Sequence, residues 1–359
     1  LSEIVLKLLS NPSIASKSWV YSQYDSQVQS NTVFKPGSSD AALIRLRRQD
    51  EKNKDKNFSG IAASVDCNSR WVLLDPYRGS IAAVAESARN VSCTGAEPIA
   101  ITNNLNFSSP ETDLGYWQLS SSCDGISKAC NVLETPVTGG NVSLYNESIN
   151  QNNQINPINP TPVIGMVGTI KDVNKAVSSG WKNINDQIWI IGSSSSESTI
   201  SASSYLEYFH GLVTGRPPTI DLQDEKCCQS FLRDAISKNY IISSHDVSDG
   251  GLAIALAECC ILSSKGASIE IDKDVNRDDN LLFAEGGSRI IFTIDKIKEK
   301  EWHNYLKANK INSHSSVYVK KIGYVSSEIL NIKIQEKNIC NIRVEELTEK
   351  FNNSISGYF

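Results

Sequence analysis

The sequence predicts two consecutive domains that mix helices and strands: an α+β domain over residues 1–175 and an α/β domain over residues 176–359. Apolar runs of strand length alternate with helical patterns along the chain. A buried strand near residue 188 begins a second such series. The 359 residues suffice for two domains with cores, and 40% hydrophobic with 21% charged residues is typical of a soluble globular protein.

The first domain is predicted as a sheet with helices on one face. Its strands are predicted at 40–46, 60–65, 70–74, 97–102 and 162–170. Apolar residues repeat with helical spacing over 81–91, where Gly95 ends the helix, and again over 119–133. The mixed-charge stretch 45–56 is predicted as a solvated loop, and the asparagine-rich stretch 150–159 as a loop or a disordered insertion.

The second domain is predicted as an α/β layer. Strands are predicted at 188–192, 241–245, 267–272 and 288–295, with helices at 250–264 and 297–308. His245, Asp246, Ser248 and Asp249 stand together, which invites a hydrolase interpretation, but the spacing lacks a nucleophile elbow. Asp249 is predicted to cap the following helix. Alternatively, the carboxylates of Asp246 and Asp249 line a ligand pocket.

Two adjacent glycines, Gly139 and Gly140, lead into a row of oxygen and amide side chains that includes Asn141 and Ser143. Glycines at positive φ can bring N–H groups close to an anion, and hard oxygen ligands suit Mg²⁺. The pattern therefore predicts a phosphate-binding turn with a metal ligand. The alternative is a hairpin or strand-edge turn that uses these residues for geometry alone.

A second amide-rich segment lies upstream, where Asn103, Asn104 and Asn106 end an apolar run. Asparagines are costly to bury unless they are hydrogen-bonded. A helix between the two segments, packed on the sheet, would return the chain to the same edge. Both polar segments are therefore predicted to face one cleft, which is a common place for a nucleotide site.

With these motifs the chain resembles the second half of phosphoribosylformylglycinamidine synthase subunit II, the family of ATP-dependent amidine-forming enzymes of purine biosynthesis. The resemblance runs nearly end to end, through residues 18–25, 29–32, 75–77, 96–110, 117–118, 139–147, 160–168, 245–252 and 284–289. It implies the two-domain aminoimidazole-ribonucleotide-synthetase-like (PurM-like) fold.

The resemblance also implies roles for particular residues. Gly140 would contact ATP, Asn141 would bind Mg²⁺ and Ser143 would contact the ribonucleotide substrate. The second ATP contact is commonly aspartate in the family and is Asn103 here, which removes a charge but keeps hydrogen bonding. Further candidates for pocket residues are Glu147, Asp246, Asp249 and Glu285.

In similar enzymes the catalytic histidine and a phosphate-binding lysine belong to the first half, so we expect no catalytic residue in this chain and no activity from it alone. The resemblance implies that ammonia comes from a separate glutaminase subunit, bridged by a small third subunit. A non-catalytic nucleotide-binding half is the alternative. A selenophosphate or thiamine-phosphate kinase type is another, although segments 19–25 and 141–147 argue against it.

Composition limits the partners and the compartment. A net charge of −5 gives no reason to expect nucleic-acid or anionic-membrane binding, and no apolar run has the length of a membrane span. The nine cysteines include no Cys-x-x-Cys pair, so buried reduced thiols and a cytoplasmic location are expected. The chain begins at Leu1 without an initiator methionine, and the resemblance implies a piece that lacks its amino-terminal half. An uncovered apolar face could make that piece a homodimer.

Overall fold

The computed structural model describes residues 1–46, 58–272, 277–309 and 316–358. Residues 47–56 of the predicted solvated loop lie outside these ranges. The helices of the first half are α1 (Ser2–Leu9), α2 (Ser18–Tyr21), α3 (Ser69–Leu74), α4 (Pro76–Cys93) and α5 (Asp113–Leu133). Its strands are β1 (Ala42–Arg45), β2 (Gly60–Asp66), β3 (Glu97–Asn106), β4 (Val137–Ser143), β5 (Glu147–Ile149), β6 (Ile155–Pro157) and β7 (Thr161–Ile170).

The first domain is a five-stranded sheet in the order β1-β2-β7-β3-β4, with α4 and α5 on one face. Asp75 caps α4 by accepting a hydrogen bond from the Arg78 N–H, and Thr112 caps α5 in the same way. Val84, Ile101 and Met166 lie in the core between the helices and the sheet. The prediction of helices on one face of a sheet is confirmed, and the opposite face is uncovered by the described residues.

The second domain contains a seven-stranded sheet in the order β10-β13-β8-β14-β11-β15-β16. In chain order, its strands are β8 (Gln187–Ser193), β9 (Ser198–Thr199), β10 (Ile241–Asp246), β11 (Gly266–Ile271), β12 (Glu285–Gly286), β13 (Ile290–Ile294), β14 (Val317–Ser326), β15 (Ile329–Ile334) and β16 (Lys337–Arg343). Its helices are α6 (Ser204–His210), α7 (Leu222–Ser237), α8 (Gly251–Ser263), α9 (Asp278–Phe283), α10 (Glu299–Ala308) and α11 (Val344–Asn353).

This second sheet is buried on both faces at β8 and β13, whereas β15 and β16 alternate buried and exposed residues. One face packs against α1, α8 and α11, and the other against α7 and α10, so every residue of β8 is buried. β11 and β15 run parallel, while the other neighbouring strands of this sheet are antiparallel. The short strands β9 and β12 pair separately. Short 3₁₀ helices cover Val28–Ser30, Val173–Lys175, Lys296–Lys298 and Ile355–Tyr358.

Three local predictions need correction. The strand predicted at 70–74 is the helix α3, because the Asn68 side chain accepts a hydrogen bond from the Trp71 N–H and caps a short apolar run that could fit either structure. The stretch 150–159 contains strand β6, which pairs with β5 in a hairpin. Finally, α1 does not pack with the first domain, to which the boundary at residue 175 assigned it; Leu8 and Leu9 lie in the second domain's core.

Among the residues that the structure describes, no helix is both long and apolar enough to cross a lipid bilayer. All nine cysteines are free thiols. Six of them are buried, Cys130 and Cys259 among them, which agrees with the expectation of buried thiols, whereas Cys123 and Cys227 are exposed.

Candidate functional site

The two amide-rich segments are neighbouring strands. α5 carries the chain from the end of β3 back to the start of β4, so the two strands run parallel and their polar residues lie side by side. Asn103 is opposite Gly140, and Asn106 is opposite Ser143. The expectation that α5 brings the two segments together is met, but the predicted cleft between two turns is wrong: the segments pair directly as neighbouring strands, with β4 at the edge of the sheet and β3 inside it.

The two glycines lie inside β4, and neither has a positive φ. The predicted phosphate-binding turn is therefore wrong in its geometry. Gly140 instead allows β4 to approach β3 closely. A Cβ built on Gly140 would lie 2.0 Å from Asn103 Oδ1 and 2.4 Å from the Asn103 carbonyl oxygen. A Cβ on Gly139 would meet no atom within 4 Å. Only Gly140 is thus required by its surroundings.

Alternation along the strands divides the predicted site residues between the two faces of the sheet. Asn103 and Gly140 lie on the face that carries the helices. There Asn103 borders a groove of about 590 Å³ between α5 and the start of β4, lined also by Ile126, Ser127 and Asn131. Asn141 and Ser143 lie on the uncovered face. Since β4 is the last strand of the sheet, groups on both faces can be reached around one free edge.

Side-chain hydrogen bonds order the uncovered face. Asn141 Nδ2 donates to Asn104 Oδ1 at 3.1 Å, and Asn106 Nδ2 donates to the Thr161 carbonyl oxygen at 3.1 Å. Asn141 Oδ1 has no protein donor in the described part of the chain and can act as an oxygen ligand. The described residues contain no group of three or more His, Cys, Asp or Glu side chains that could hold a metal ion. A Mg²⁺ ion at Asn141 would therefore need phosphate oxygens, water or another polypeptide as further ligands.

The turn after β4 is fixed by its own side chains. Ser143 Oγ lies 3.2 Å from Asn146 Oδ1, and Asn146 Nδ2 donates to the Ser143 carbonyl oxygen at 2.8 Å. Glu147 accepts a hydrogen bond from the Ser109 N–H at 2.8 Å. Tyr145 holds a positive φ of 59° between these contacts. Glu147 therefore orders the turn next to Ser143.

Asp246 lies apart from this edge, in a buried ion-pair cluster between the domains. Arg89 of α4 pairs with Asp246 and also with Glu225 of α7, the latter at 2.9 Å. All three side chains are at most 5% exposed. Because Arg89 occupies its carboxylate, Asp246 does not share an open pocket with Asp249.

Asp249 and Glu285 do lie together, around Arg70 of α3. Arg70 contacts Glu207, Asp249 and Glu285 at 2.7, 3.4 and 3.3 Å. The predicted cap is wrong: Gly250, at φ 79°, is the N-cap of α8, and Asp249 instead accepts a hydrogen bond from Asn68 Nδ2. Burial, together with the charge of Asp249, raises the pKa of Glu285 to about 7.

His245 forms a further contact between the domains. Its Nδ1 lies 2.6 Å from Asp40, which precedes β1, and its Nε2 lies 3.1 Å from Glu258 of α8. Burial disfavours the imidazolium, but the two carboxylates outweigh burial and hold the pKa of His245 well above its ordinary value. His245 is thus a charged link between the domains, and because both of its ring nitrogens contact carboxylates, neither is available to activate a serine as in a hydrolase.

Sequence reasoning did not identify Arg70, Arg89 or Asp40 as partners in these clusters. A signal was present for Arg89, which interrupts the apolar helical pattern of α4 at a position that must face inward. A buried arginine is usually paired with a carboxylate, but the sequence does not show which of the distant acidic residues supplies it.

Comparison with known proteins agrees with this architecture. Residues 38–170 match the model of the AIR synthase related protein N-terminal domain, and residues 183–326 match that of the C-terminal domain. The chain belongs to this family of AIR synthase related proteins, whose two domains are the two halves of the structure. The resemblance inferred from the motifs and the predicted fold class are both confirmed.

The similarity to one subunit is extensive. The chain is 80% identical over 358 residues to the phosphoribosylformylglycinamidine synthase subunit PurL of Prochlorococcus marinus strain MIT 9312, and spans 46% of that protein's length. Among solved structures, T. maritima PurL complexed with FGAR superposes with a TM-score of 0.69 at 15% identity, over 96% of this chain and 53% of that one. T. maritima PurL complexed with ATP gives a TM-score of 0.66 at 16% identity, over 96% and 52%.

Proposed function

We propose that this chain is one half, the carboxy-terminal one, of an ATP- and Mg²⁺-dependent phosphoribosylformylglycinamidine synthase. The complete enzyme would convert formylglycinamide ribonucleotide and ammonia into formylglycinamidine ribonucleotide. The observation that carries the proposal is the parallel pairing of β3 with β4, which sets Asn103 beside Gly140 and Asn106 beside Ser143 at a free edge.

The two faces of that edge would serve different ligands. Asn103 and the Gly140 backbone would contact ATP from the helix-covered side, where the groove of about 590 Å³ has the size of a small-molecule site. On the other face, Asn141 would bind Mg²⁺ through Oδ1, and Ser143 would contact the ribonucleotide. Asn146 and Glu147 would keep Ser143 in place through the ordered turn.

The uncovered face of the first sheet supports a missing partner half. Apolar side chains lie on it over β1 and β2, among them Ile44, Ile61 and Val65, and Val65 is 71% exposed. Toward β3 and β4 the same face becomes polar. A partner sheet could bury the apolar part and leave the polar part as a cleft between two polypeptides. The same surface would allow two copies of this chain to pair as a homodimer.

In the proposed reaction the γ-phosphate of ATP is transferred to the amide oxygen of the substrate, ammonia attacks the activated carbon, and phosphate leaves. Mg²⁺ would neutralise phosphate charge during the transfer. This chain would position ligands and supply oxygen and N–H contacts. The general base and a phosphate-binding lysine would come from the other half, and ammonia from a glutaminase subunit through a small bridging subunit. Such a synthase would work in the cytoplasm, without nucleic-acid or membrane partners.

The test uses two substitutions in the assembled enzyme. Asn141→Ala is expected to weaken the use of Mg-ATP, and raised Mg²⁺ should recover part of the loss by mass action. Ser143→Ala should raise the KM for the ribonucleotide by about 1–2 kcal/mol in binding free energy and leave the Mg²⁺ dependence unchanged.

Steady-state kinetics at several Mg²⁺ and ribonucleotide concentrations, paired with thermal melts, distinguish a ligand site from a structural edge. If both variants lose thermal stability equally and keep their kinetic constants, the edge is structural and the proposal fails.

A further inference from the structure

A second cavity lies in the other domain, away from the β3–β4 edge. It has a volume of about 700 Å³ and is formed by β8, β11 and β14 together with α8 and α9. Its walls are mainly aliphatic, with Ile190, Leu252, Leu281 and Ile322 among them. The volume is in the range of small-molecule sites, and none of the residues proposed for nucleotide or substrate lines it.

Arg289 brings a positive charge to this apolar cavity. The residue is only 7% exposed. Its Nε donates to the Gly286 carbonyl oxygen at 2.9 Å and its Nη2 to the Ala284 carbonyl oxygen at 2.5 Å. These bonds use two of the five N–H donors of a guanidinium. No carboxylate of the described residues lies within ion-pair distance of it, whereas Arg70 and Arg89 each contact at least two.

Tyr318 supplies a second donor beside Arg289. Its hydroxyl makes no hydrogen bond to another group in the described part of the chain. A Cβ built on Gly192 would lie 2.6 Å from the Tyr318 hydroxyl and 3.0 Å from Arg289 Cγ, so both side chains lie over the same glycine. Lys320 and Asp272 also line the cavity, but their charges are paired with each other at 2.5 Å. Arg289 and Tyr318 therefore line a mainly aliphatic cavity with a guanidinium that has no carboxylate partner, and a hydroxyl that has no hydrogen bond, among the described residues.

We propose that this cavity binds a small organic monocarboxylate with an apolar body, whose carboxylate accepts hydrogen bonds from Arg289 and Tyr318. The aliphatic walls favour the apolar body, at a free energy proportional to the area removed from water. A single uncompensated guanidinium matches a single negative charge. A phosphate dianion would leave a net charge in an apolar space, which is costly. The site is independent of the proposed synthase function.

The test is calorimetric titration of the full 359-residue chain with 4-phenylbutanoate and, in parallel, with the neutral 4-phenylbutanamide. The carboxylate is expected to bind with one-to-one stoichiometry and at least about tenfold more tightly than the amide, because a hydrogen bond to a charged group is stronger than one to a neutral group. Tyr318→Phe should weaken carboxylate binding about tenfold. Tyr324→Phe, on the same strand but outside the cavity, should leave it unchanged.

Arg289 also holds the segment that contains Ala284 and Gly286 through two hydrogen bonds, so its substitution could disturb folding. A second variant therefore tests the cavity without changing Arg289. Leu281→Trp places bulk in the cavity without removing any hydrogen bond, and it should abolish binding while thermal melts show a folded chain. Absence of saturable binding at millimolar carboxylate overturns the proposal. So does equal binding of the amide, which would show a neutral apolar site, or an unchanged affinity in Tyr318→Phe.

Discussion

Gly140 shows at the scale of one residue how a missing side chain shapes the candidate site. Gly140→Ala would bring its Cβ within 2.4 Å of the Asn103 carbonyl oxygen as well as close to the side chain, so rotating Asn103 cannot relieve the clash. The strands must move apart, at a cost of about 1–3 kcal/mol in the free energy of unfolding.

The assembled enzyme should also use ATP less well in this variant. Gly139→Ala is the matched control: with no atom within 4 Å, it should change stability by less than about 0.5 kcal/mol. Denaturant unfolding and ATP kinetics of the two variants provide the measurement, and equal behaviour of both would contradict the close-approach explanation.

His245 makes stability depend on pH. Its folded-state pKa lies above the ordinary value of 6.5, so its contribution is complete below about pH 6.5 and is lost as pH rises through the folded-state value. The free energy of unfolding of wild type minus that of His245→Gln should therefore be largest in acid and shrink as pH rises.

The charged groups that face the imidazole are Asp40 from the first domain and Glu258 from α8. Unfolding by denaturant across the pH range gives the difference curve. His303→Gln, at an exposed position on α10, should leave the profile unchanged. A wild-type advantage that grew with rising pH would have the wrong sign for a protonated His245.

At the scale of elements, α4 is held against the second domain by the buried cluster around Arg89. Arg89→Met removes the cation that Asp246 and Glu225 share, and two buried carboxylates then lack their partner. We expect a loss of about 3–5 kcal/mol in the free energy of unfolding.

The comparison is Arg343→Met, which removes an exposed arginine 3.8 Å from Glu328 and should cost at most about 1 kcal/mol. Chemical denaturation of both variants tests this difference. Similar losses would mean that the Arg89 cluster does not hold the domains together.

The elements that could be predicted are those whose pattern is long. The helical repeat of α5 and the buried strand β8 have enough residues to fix their type, and the order of the two domains followed from such segments together with the family motifs. The short helix α3 could not be predicted, because an apolar run of that length fits a strand equally well and the cap by Asn68 decides.

The candidate site likewise has features that the sequence could predict and features that it could not. The amide-rich segments could be assigned to one edge because a crossover helix separates them, but their direct pairing depends on which strands lie next to each other. The conformation of Gly139 and Gly140 could not be predicted, because glycine adopts positive and negative φ equally well. Pairing with β3 selects the extended conformation. The interdomain partners of Arg70 and Arg89 lie more than a hundred residues away and leave no local pattern.

At the scale of the whole molecule, the chain has two cored domains, which the charged clusters around Arg70, Arg89 and His245 help to join, and an uncovered sheet face that ends in a polar edge. It is 80% identical to one PurL relative and spans 46% of the length of that protein. Both facts fit a half-enzyme whose site is completed by another polypeptide segment. We therefore expect the β3–β4 edge to work only in an assembly.

The most direct measurement is reconstitution. This chain is combined with the segment that completes the length of its relatives, and amidine formation from formylglycinamide ribonucleotide, ATP and ammonia is followed. We predict turnover by the mixture, no turnover by either part alone, and loss of Mg-ATP use when this chain carries Asn141→Ala. Turnover by this chain alone, or full activity of the mixture with Asn141→Ala, would contradict the account.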